Sequence, residues 1–235
     1  MPFEPKSFAE AAAGITLPDV ITSEPSPCRL RLETAAVIEP LPHLIGPDAC
    51  GGGDMVRLKA FHALDRKDVV IVPPPELRCE MAEAVVVWLR DDIAPIFSAP
   101  ALIEVENFDS YECRGRNRVF GAKLSEHGKG NALDIRAFKL ADGKRIEPTD
   151  VYVEHEQRDK FRQAACNRFT TVLGPGSDGH HESHIHLDLA ERRNGHRMCQ
   201  WEVRDPMKDL AQIPLPQPRP NFGAESPAAN DKRKL

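Results

Sequence analysis

Apolar residues recur along the middle of this chain in two distinct rhythms, and its two ends show neither. Val69-Val70-Ile71-Val72 is an unbroken β-branched run, the pattern of a short buried strand. Beyond Pro73-Pro74-Pro75, the residues Leu77, Met81, Ala84, Val85, Trp88 and Leu89 return at three- and four-residue steps. That spacing predicts a helix with Pro75 in its first turn, running through about Arg90. A second helix is expected from near Glu156, with Phe161, Ala164, Ala165 and Phe169 on its inner face.

Two further segments alternate instead. From Ala132 to Phe138 the period of two puts Asp134 and Arg136 on one face and Leu133, Ile135 and Ala137 on the other. From Ser183 to Leu189 it puts His184, His186 and Asp188 on one face, with Ile185, Leu187 and Leu189 packed beneath. As neighbouring strands, these two would bring Asp134 and His186 together above one sheet face. Asp142-Gly143 follows the first strand and is a hairpin signal, so an antiparallel sheet is expected rather than a βαβ arrangement.

The ends carry prolines in place of periodicity. Residues 1–27 and 206–235 are expected to be tails around one folded domain spanning 28–205. The C-terminal run from Ile213 to Pro220 favours an extended polyproline conformation, and Asp231 to Lys234 is a solvated charge cluster. At 235 residues there is room for one well-buried core and no internal repeat to multiply it. The net charge of −5 excludes a nucleic-acid-binding surface as the main business. Locally, Arg114-Gly115-Arg116-Asn117-Arg118 is basic enough to grip an anionic substrate.

Cys28, Cys50, Cys79, Cys113, Cys166 and Cys199 are dispersed, with no Cys-x-x-Cys pair to suggest a zinc ribbon or a redox motif. An even, dispersed set favours disulfides over free thiols, and sequential economy pairs them as Cys28–Cys50, Cys79–Cys113 and Cys166–Cys199. No apolar run is long enough to span a bilayer, and the first thirty residues hold no apolar leader core. Disulfides without a leader are expected of the mature form of a periplasmic or secreted protein.

The chemistry concentrates in Ser125-Glu126-His127-Gly128-Lys129-Gly130-Asn131-Ala132-Leu133-Asp134, answered about fifty residues later by His184-Ile185-His186. An imidazole, a carboxylate and a second imidazole form a borderline-soft donor set that suits Zn2+. With only three protein ligands, His127, Asp134 and His186, such a site keeps a fourth position for the water that hydrolysis requires. Gly128 and Gly130 let the loop bend sharply enough to aim His127 back over the strand that follows.

The pattern Ser125-x-His127-x-x-Gly130-x-Ala132-x-Asp134 followed by His184-x-His186 resembles the zinc signature of the LAS metallopeptidases. That group contains lysostaphin-type and D-Ala-D-Ala peptidases and hedgehog domains. More narrowly, Cys79-Glu80-Met81-Ala82, Tyr111-x-Cys113-Arg114, Thr171 to Asp178 and His184 to Ala190 resemble the bacterial extensin-like C-terminal domain, over roughly residues 28–201. The resemblance implies an α+β fold of LAS/hedgehog type, with a central antiparallel sheet carrying the metal site and helices flanking it. It implies export to the cell envelope and action on peptidoglycan stem or cross-link peptides through metal-activated water. The rival function is a non-catalytic, zinc-stabilised module that binds wall peptide or a protein.

Carried over by position, the resemblance makes His127, Asp134 and His186 the zinc ligands and His184 a catalytic group beside them. Arg114 matches the arginine that holds substrate or oxyanion in D-Ala-D-Ala-type members. Many relatives place an acidic general base three positions before the last zinc histidine, where this chain has Ser183, and a hydroxyl cannot take that proton at neutral pH. The base is then Glu182, one residue away, or His184, with His180 and His181 as substitutes. Asp188 reads as the carboxylate that orients a ligand imidazole.

Overall fold

The computed structural model describes residues 24–206 except 48, 98 and 120. The expected polyproline run, the basic C-terminus and the N-terminal tail up to residue 23 lie outside the described residues. Helix α1 spans Pro27–Glu33, and the Ser26 side chain caps it by accepting from Arg29 N at 3.1 Å. Pro27 opens the helix where no amide donor is needed.

Among the described residues, twelve strands and two more α-helices follow. In chain order they are β1 (Ala36–Pro40), β2 (Leu44–Ile45), β3 (Gly51–Gly52), β4 (Met55–His62), β5 (Asp68–Val72) and β6 (Glu76–Arg78). Then come α2 (Cys79–Trp88), β7 (Leu102–Asp109), β8 (Ala132–Leu140), β9 (Arg145–Ile146), α3 (His155–Arg168), β10 (Thr171–Leu173), β11 (Ile185–Asp188) and β12 (Met198–Gln200). The large sheet runs β1-β4-β5-β7-β8-β11-β10-β12, with β6 paired to β4 and β9 to β8, while β2 and β3 form a separate pair. Most pairings are antiparallel, and the Asp142-Gly143 turn does join β8 to β9 as a hairpin. Two pairings, β5 with β7 and β10 with β12, are parallel. The chain between β5 and β7 carries α2, so one helical crossover of the kind the hairpin signal argued against is present.

The class is α+β: one large sheet, with α2 and α3 laid on the face carrying Leu133, Ile135, Ile185 and Leu187. Trp88 of α2 meets Phe169 edge-on at 5.6 Å, and Phe138 of β8 lies 5.3 Å from Phe161 of α3. All four rings are almost wholly buried, and truncating any one of them would cost about 3–5 kcal/mol. The inner faces of the two helices are those the periodicity assigns, with Met81, Val85, Trp88 and Leu89, and Phe161, Ala165 and Phe169, all buried.

Several expectations are corrected. The run Val69 to Val72 is not buried on both sides: Val69 and Ile71 point inward while Val70 and Val72 are over 40% exposed, so β5 covers only one layer. Pro75 does not start a helix. Residues 76–78 pair with β4 as β6, Met55 opposite Arg78, and α2 begins only at Cys79. Beyond Trp88 the coil widens into a π-turn over Leu89–Ile93. In β8 the alternation holds from Leu133 to Arg136 and then reverses. The β7–β8 register slips between Asn107↔Ile135 and Glu106↔Ala137, and this bulge turns Phe138 into the cluster under the helices, which Ala137, though fully buried, does not join.

The disulfides are Cys28–Cys79, Cys50–Cys113 and Cys166–Cys199. Only the third follows sequential economy. Helix α1 folds back against α2 and brings Cys28 to Cys79, while the β2–β3 loop carries Cys50 to the segment after β7. No helix among the described residues is long and apolar enough to cross a membrane.

Candidate metal centre

β8 and β11 are antiparallel neighbours with His186 directly opposite Asp134. Both side chains leave the sheet on the face away from the helices, because Leu133, Ile135, Ile185 and Leu187 occupy the other. The third residue arrives from a loop. His127 opens a 3-10 turn, His127–Lys129, that Gly130 closes at φ +64°. Glycine suits that position, since a Cβ would stand 2.5 Å from Met55 Cε and push its side chain aside, and the Gly130 carbonyl accepts from Arg78 N at 2.8 Å. Glu126 stiffens the same loop by accepting from Lys129 Nζ at 2.6 Å and Asn131 Nδ2 at 2.7 Å.

Hydrogen bonding fixes which ring atoms face inward. His127 Nδ1 lies 2.6 Å from the Ser110 carbonyl, which can only accept, so that nitrogen carries the proton and Nε2 keeps its lone pair. His186 Nε2 lies 3.1 Å from Asp188 Oδ2, which in the same way leaves the lone pair on Nδ1. These two atoms are 3.1 Å apart, and Asp134 Oδ1 lies 3.3 Å from the first and 2.8 Å from the second. Three electron-rich atoms thus converge in a place where His127 is 2%, Asp134 3% and His186 7% exposed. Such a group is stable only around positive charge.

In the protein by itself a proton supplies that charge. Burial alone would lower the His186 pKa, but hydrogen bonds to Asp134 and Asp188 outweigh it and raise the pKa to about 9. Burial would raise Asp134, yet its contacts with the His127 and His186 rings hold it far below the carboxylate range. A divalent cation could take the proton's place: a tetrahedral ion with bonds of about 2.0–2.1 Å sets its donors about 3.3 Å apart. The three residues form a group able to hold a metal ion, and the outward N–H bonds match the way ligating imidazoles are oriented.

The support continues outward. Asp188 Oδ1 accepts from Thr171 Oγ1 and from Ala190 N at 2.9 Å, and Arg192 Nη2 donates to Thr171 Oγ1 at 2.6 Å. Asp188 is therefore the orienting carboxylate expected from its place on the strand. Its carboxyl is held below its ordinary value despite burial, chiefly by His186.

His184 stands beside this group, with Nε2 3.5 Å from Asp134 Oδ2. Its ring lies 4.5 Å from that of Phe108, and the Arg136 guanidinium lies 4.5 Å from the same Phe108 ring. Its Nδ1 is buried and has no hydrogen-bond partner. Burial, above all, pushes the His184 pKa down. His181 packs next to it at 5.2 Å between rings and is held by Asp178 at 2.7 Å.

These groups line a cleft of about 470 Å³, whose wall also includes Arg114, Arg116, Arg192 and His180. Arg114 is pinned by Asp109 and Glu112, each at 2.7 Å. Glu182 is not brought in. It is exposed, accepts from Gly176 N at 2.9 Å and is absent from the cleft wall, and Ser183 is exposed too. Sequence reasoning did not find Phe108, Thr171, Arg192 or the Ser110 carbonyl. Thr171 lies within a stretch matched only as a motif, and a backbone carbonyl leaves no mark in side-chain patterning.

The molecule is thus a mixed α+β domain whose sheet carries a His/Asp/His group fit for a metal ion. It belongs to the family described as extensin-like protein C-terminus, whose family model matches residues 26–200. No curated protein and no solved structure matches the sequence.

Proposed function

We propose that this domain is a zinc-dependent peptidase that hydrolyses an amide bond in peptidoglycan stem or cross-link peptides. The observation that carries the reading is the convergence of His127 Nε2, Asp134 Oδ1 and His186 Nδ1 within 3.3 Å of one another, beside a buried His184 whose Nδ1 has no partner. Two imidazoles and a carboxylate favour zinc among the common divalent ions. When bound, zinc would supply Lewis acidity toward the scissile carbonyl and make water a better nucleophile at neutral pH.

The protein's own groups supply the rest. His184, whose Nε2 faces Asp134 at 3.5 Å, takes the proton from the attacking water at that Nε2. As the carbon–nitrogen bond breaks, the same atom returns that proton to the departing amine. The Phe108 ring holds the imidazole in place. Arg114, fixed through Nε and Nη2, leaves Nη1 for the substrate. Asp188 and the Ser110 carbonyl keep both ligand rings in the tautomers that face their lone pairs inward. Three disulfides suit an oxidising, extracytoplasmic setting, where the wall peptide is found.

A second reading, a zinc-stabilised module that binds wall peptide without cleaving it, is favoured by one observation. Glu182 and Ser183 both lie outside the cleft, so no carboxylate stands where many LAS relatives keep their base. The experiment measures zinc in purified protein and in a His186→Ala variant, then follows fragment release from purified peptidoglycan by mass spectrometry. Stoichiometric zinc lost in the variant, with fragments released only by the parent, supports the peptidase. Zinc without cleavage, and wall binding unchanged in His184→Ala, supports the module.

A further inference from the structure

Among the described residues, two arginines of the cleft make no contact with a carboxylate. Each carboxylate on its wall already contacts another side chain. Asp109 holds Arg114 at 2.7 Å, Glu126 holds Lys129 at 2.6 Å, and Asp178 holds His181 at 2.7 Å. Asp134 and Asp188 face the histidines of the metal group. Arg118 is spent on Glu112 and Asp109. Arg192 and Arg116 line the same cleft, and among the described residues neither has a carboxylate partner.

The two are presented differently. Arg192 is half-buried and locked by neutral acceptors, with Nη1 on the Thr170 carbonyl at 3.1 Å and Nη2 on Thr171 Oγ1 at 2.6 Å. Its position is fixed, and no carboxylate of the described residues touches it. Arg116 is exposed, on a turn at the rim whose next residue, Asn117, reaches Asp178 across the cleft at 3.4 Å. A pre-positioned guanidinium with a second one near the entrance is the arrangement that recognises a carboxylate by a forked, charge-assisted contact.

Taking the cleft as the peptide site proposed above, we infer that Arg192, assisted by Arg116, forms a carboxylate-binding subsite, so that the substrate is a peptide carrying a free carboxylate close to the bond that is cut. That carboxylate belongs either to the C-terminal residue, which makes the enzyme a carboxypeptidase, or to a γ-linked glutamate of the stem. The shared chemistry is the same. The anion neutralises Arg192 and sits one hydrogen-bonded residue, Thr171, away from the Asp188 that orients His186.

The test uses the synthetic stem pentapeptide L-Ala-γ-D-Glu-L-Lys-D-Ala-D-Ala in three forms: both carboxylates free, the C-terminal one amidated, and the glutamate one amidated. Affinities are measured by calorimetry on the zinc-loaded full chain in a His184→Ala background, so that the peptide is not consumed. Blocking one of the two carboxylates should weaken binding about tenfold and thereby identify it. Arg192→Gln should reduce that discrimination to under twofold, and Arg192→Lys should restore part of it, which a purely structural role for Arg192 would not. Arg116→Gln, at an exposed position with no packing role, should weaken the same peptide form two- to threefold. Equal binding of all three forms, or discrimination that persists in both glutamine variants, would overturn the subsite. Turnover by the unmodified protein is scored separately. Carboxylate-selective binding with no cleavage of any form overturns the peptidase reading and leaves the subsite standing, whereas cleavage of all forms at equal rates does the reverse.

Discussion

His186 and Asp188, two residues apart on one strand, are joined through the imidazole Nε2 and a carboxylate oxygen at 3.1 Å, and this contact turns the other ring nitrogen toward Asp134. Asp188 is itself buried and held by Thr171 and Ala190 N, so the ring is oriented from a fixed point. Replacing Asp188 by Asn keeps the shape but removes the charge that favours a proton on Nε2. Metal affinity should fall 10–100-fold, measured by competition with a chromogenic chelator, while the far-ultraviolet circular dichroism stays unchanged. Unaltered affinity would refute the orienting role.

His186→Ala does more than remove a proposed ligand. It leaves Asp134 as a buried carboxylate without its nearest partner, at a cost of about 3–5 kcal/mol. Urea denaturation should show that loss even in chelator-treated protein, where parent and variant both lack metal. Stability equal to that of the treated parent would mean that water reaches Asp134.

Stripping divalent ions from the parent should lower its melting temperature, and restoring zinc should raise it again by an amount that grows with the free ion concentration, as a ligand confined to the native state requires. In His127→Ala the response should disappear. A variant stabilised by zinc as strongly as the parent would place the ion somewhere other than the His127–Asp134–His186 group.

At Gly130 the backbone is left-handed at φ +64°, and Met55 crowds the space a side chain would need. Gly130→Ala should destabilise the fold by about 1–3 kcal/mol and weaken metal binding, because the turn that aims His127 must shift. Gly143, also left-handed but with nothing within 4 Å, is the control. Gly143→Ala should lose some stability and no metal affinity.

Loss of the Cys50–Cys113 bridge, as in a Cys50→Ser/Cys113→Ser double variant, should cost about 2–4 kcal/mol. It should also loosen the segment from Ser110 to Arg114, which contributes the carbonyl that holds His127 Nδ1. The expected signature is a lower melting temperature together with reduced zinc affinity. Undiminished affinity would separate the disulfide from the site.

Much of the site was legible because it lies on regular strands. Period-two alternation placed Asp134 and His186 on one face, and their pairing across β8 and β11 follows directly. The alternation fails at the β7–β8 bulge, since an extra residue in one strand is set by the partner strand and not by local pattern, and so Ala137 does not share the face of Leu133 and Ile135. The helix start was misplaced for a similar reason. Three residues with helical spacing were claimed by pairing with β4, an interaction made with residues twenty or so positions earlier. The one legible disulfide, Cys166–Cys199, joins consecutive cysteines, while the other two cross between cysteines that folding alone brings together. Arg192 carried no motif, and its fixed position depends on Thr170 and Thr171, which tertiary folding alone brings to it.

β8 lies within the large sheet, with β7 on one side and β11 on the other, and β11 is in turn covered by β10. The donors at Asp134 and His186 are therefore anchored where backbone amides are exposed only when the whole domain opens, not where loops breathe. In hydrogen–deuterium exchange, the amides of residues 133–135 and 185–187 should belong to the slowest class. The ion-binding geometry would then persist in any partly unfolded form that keeps these strands paired, and fraying at either terminus or at the cleft rim would alter access to the centre without dismantling it.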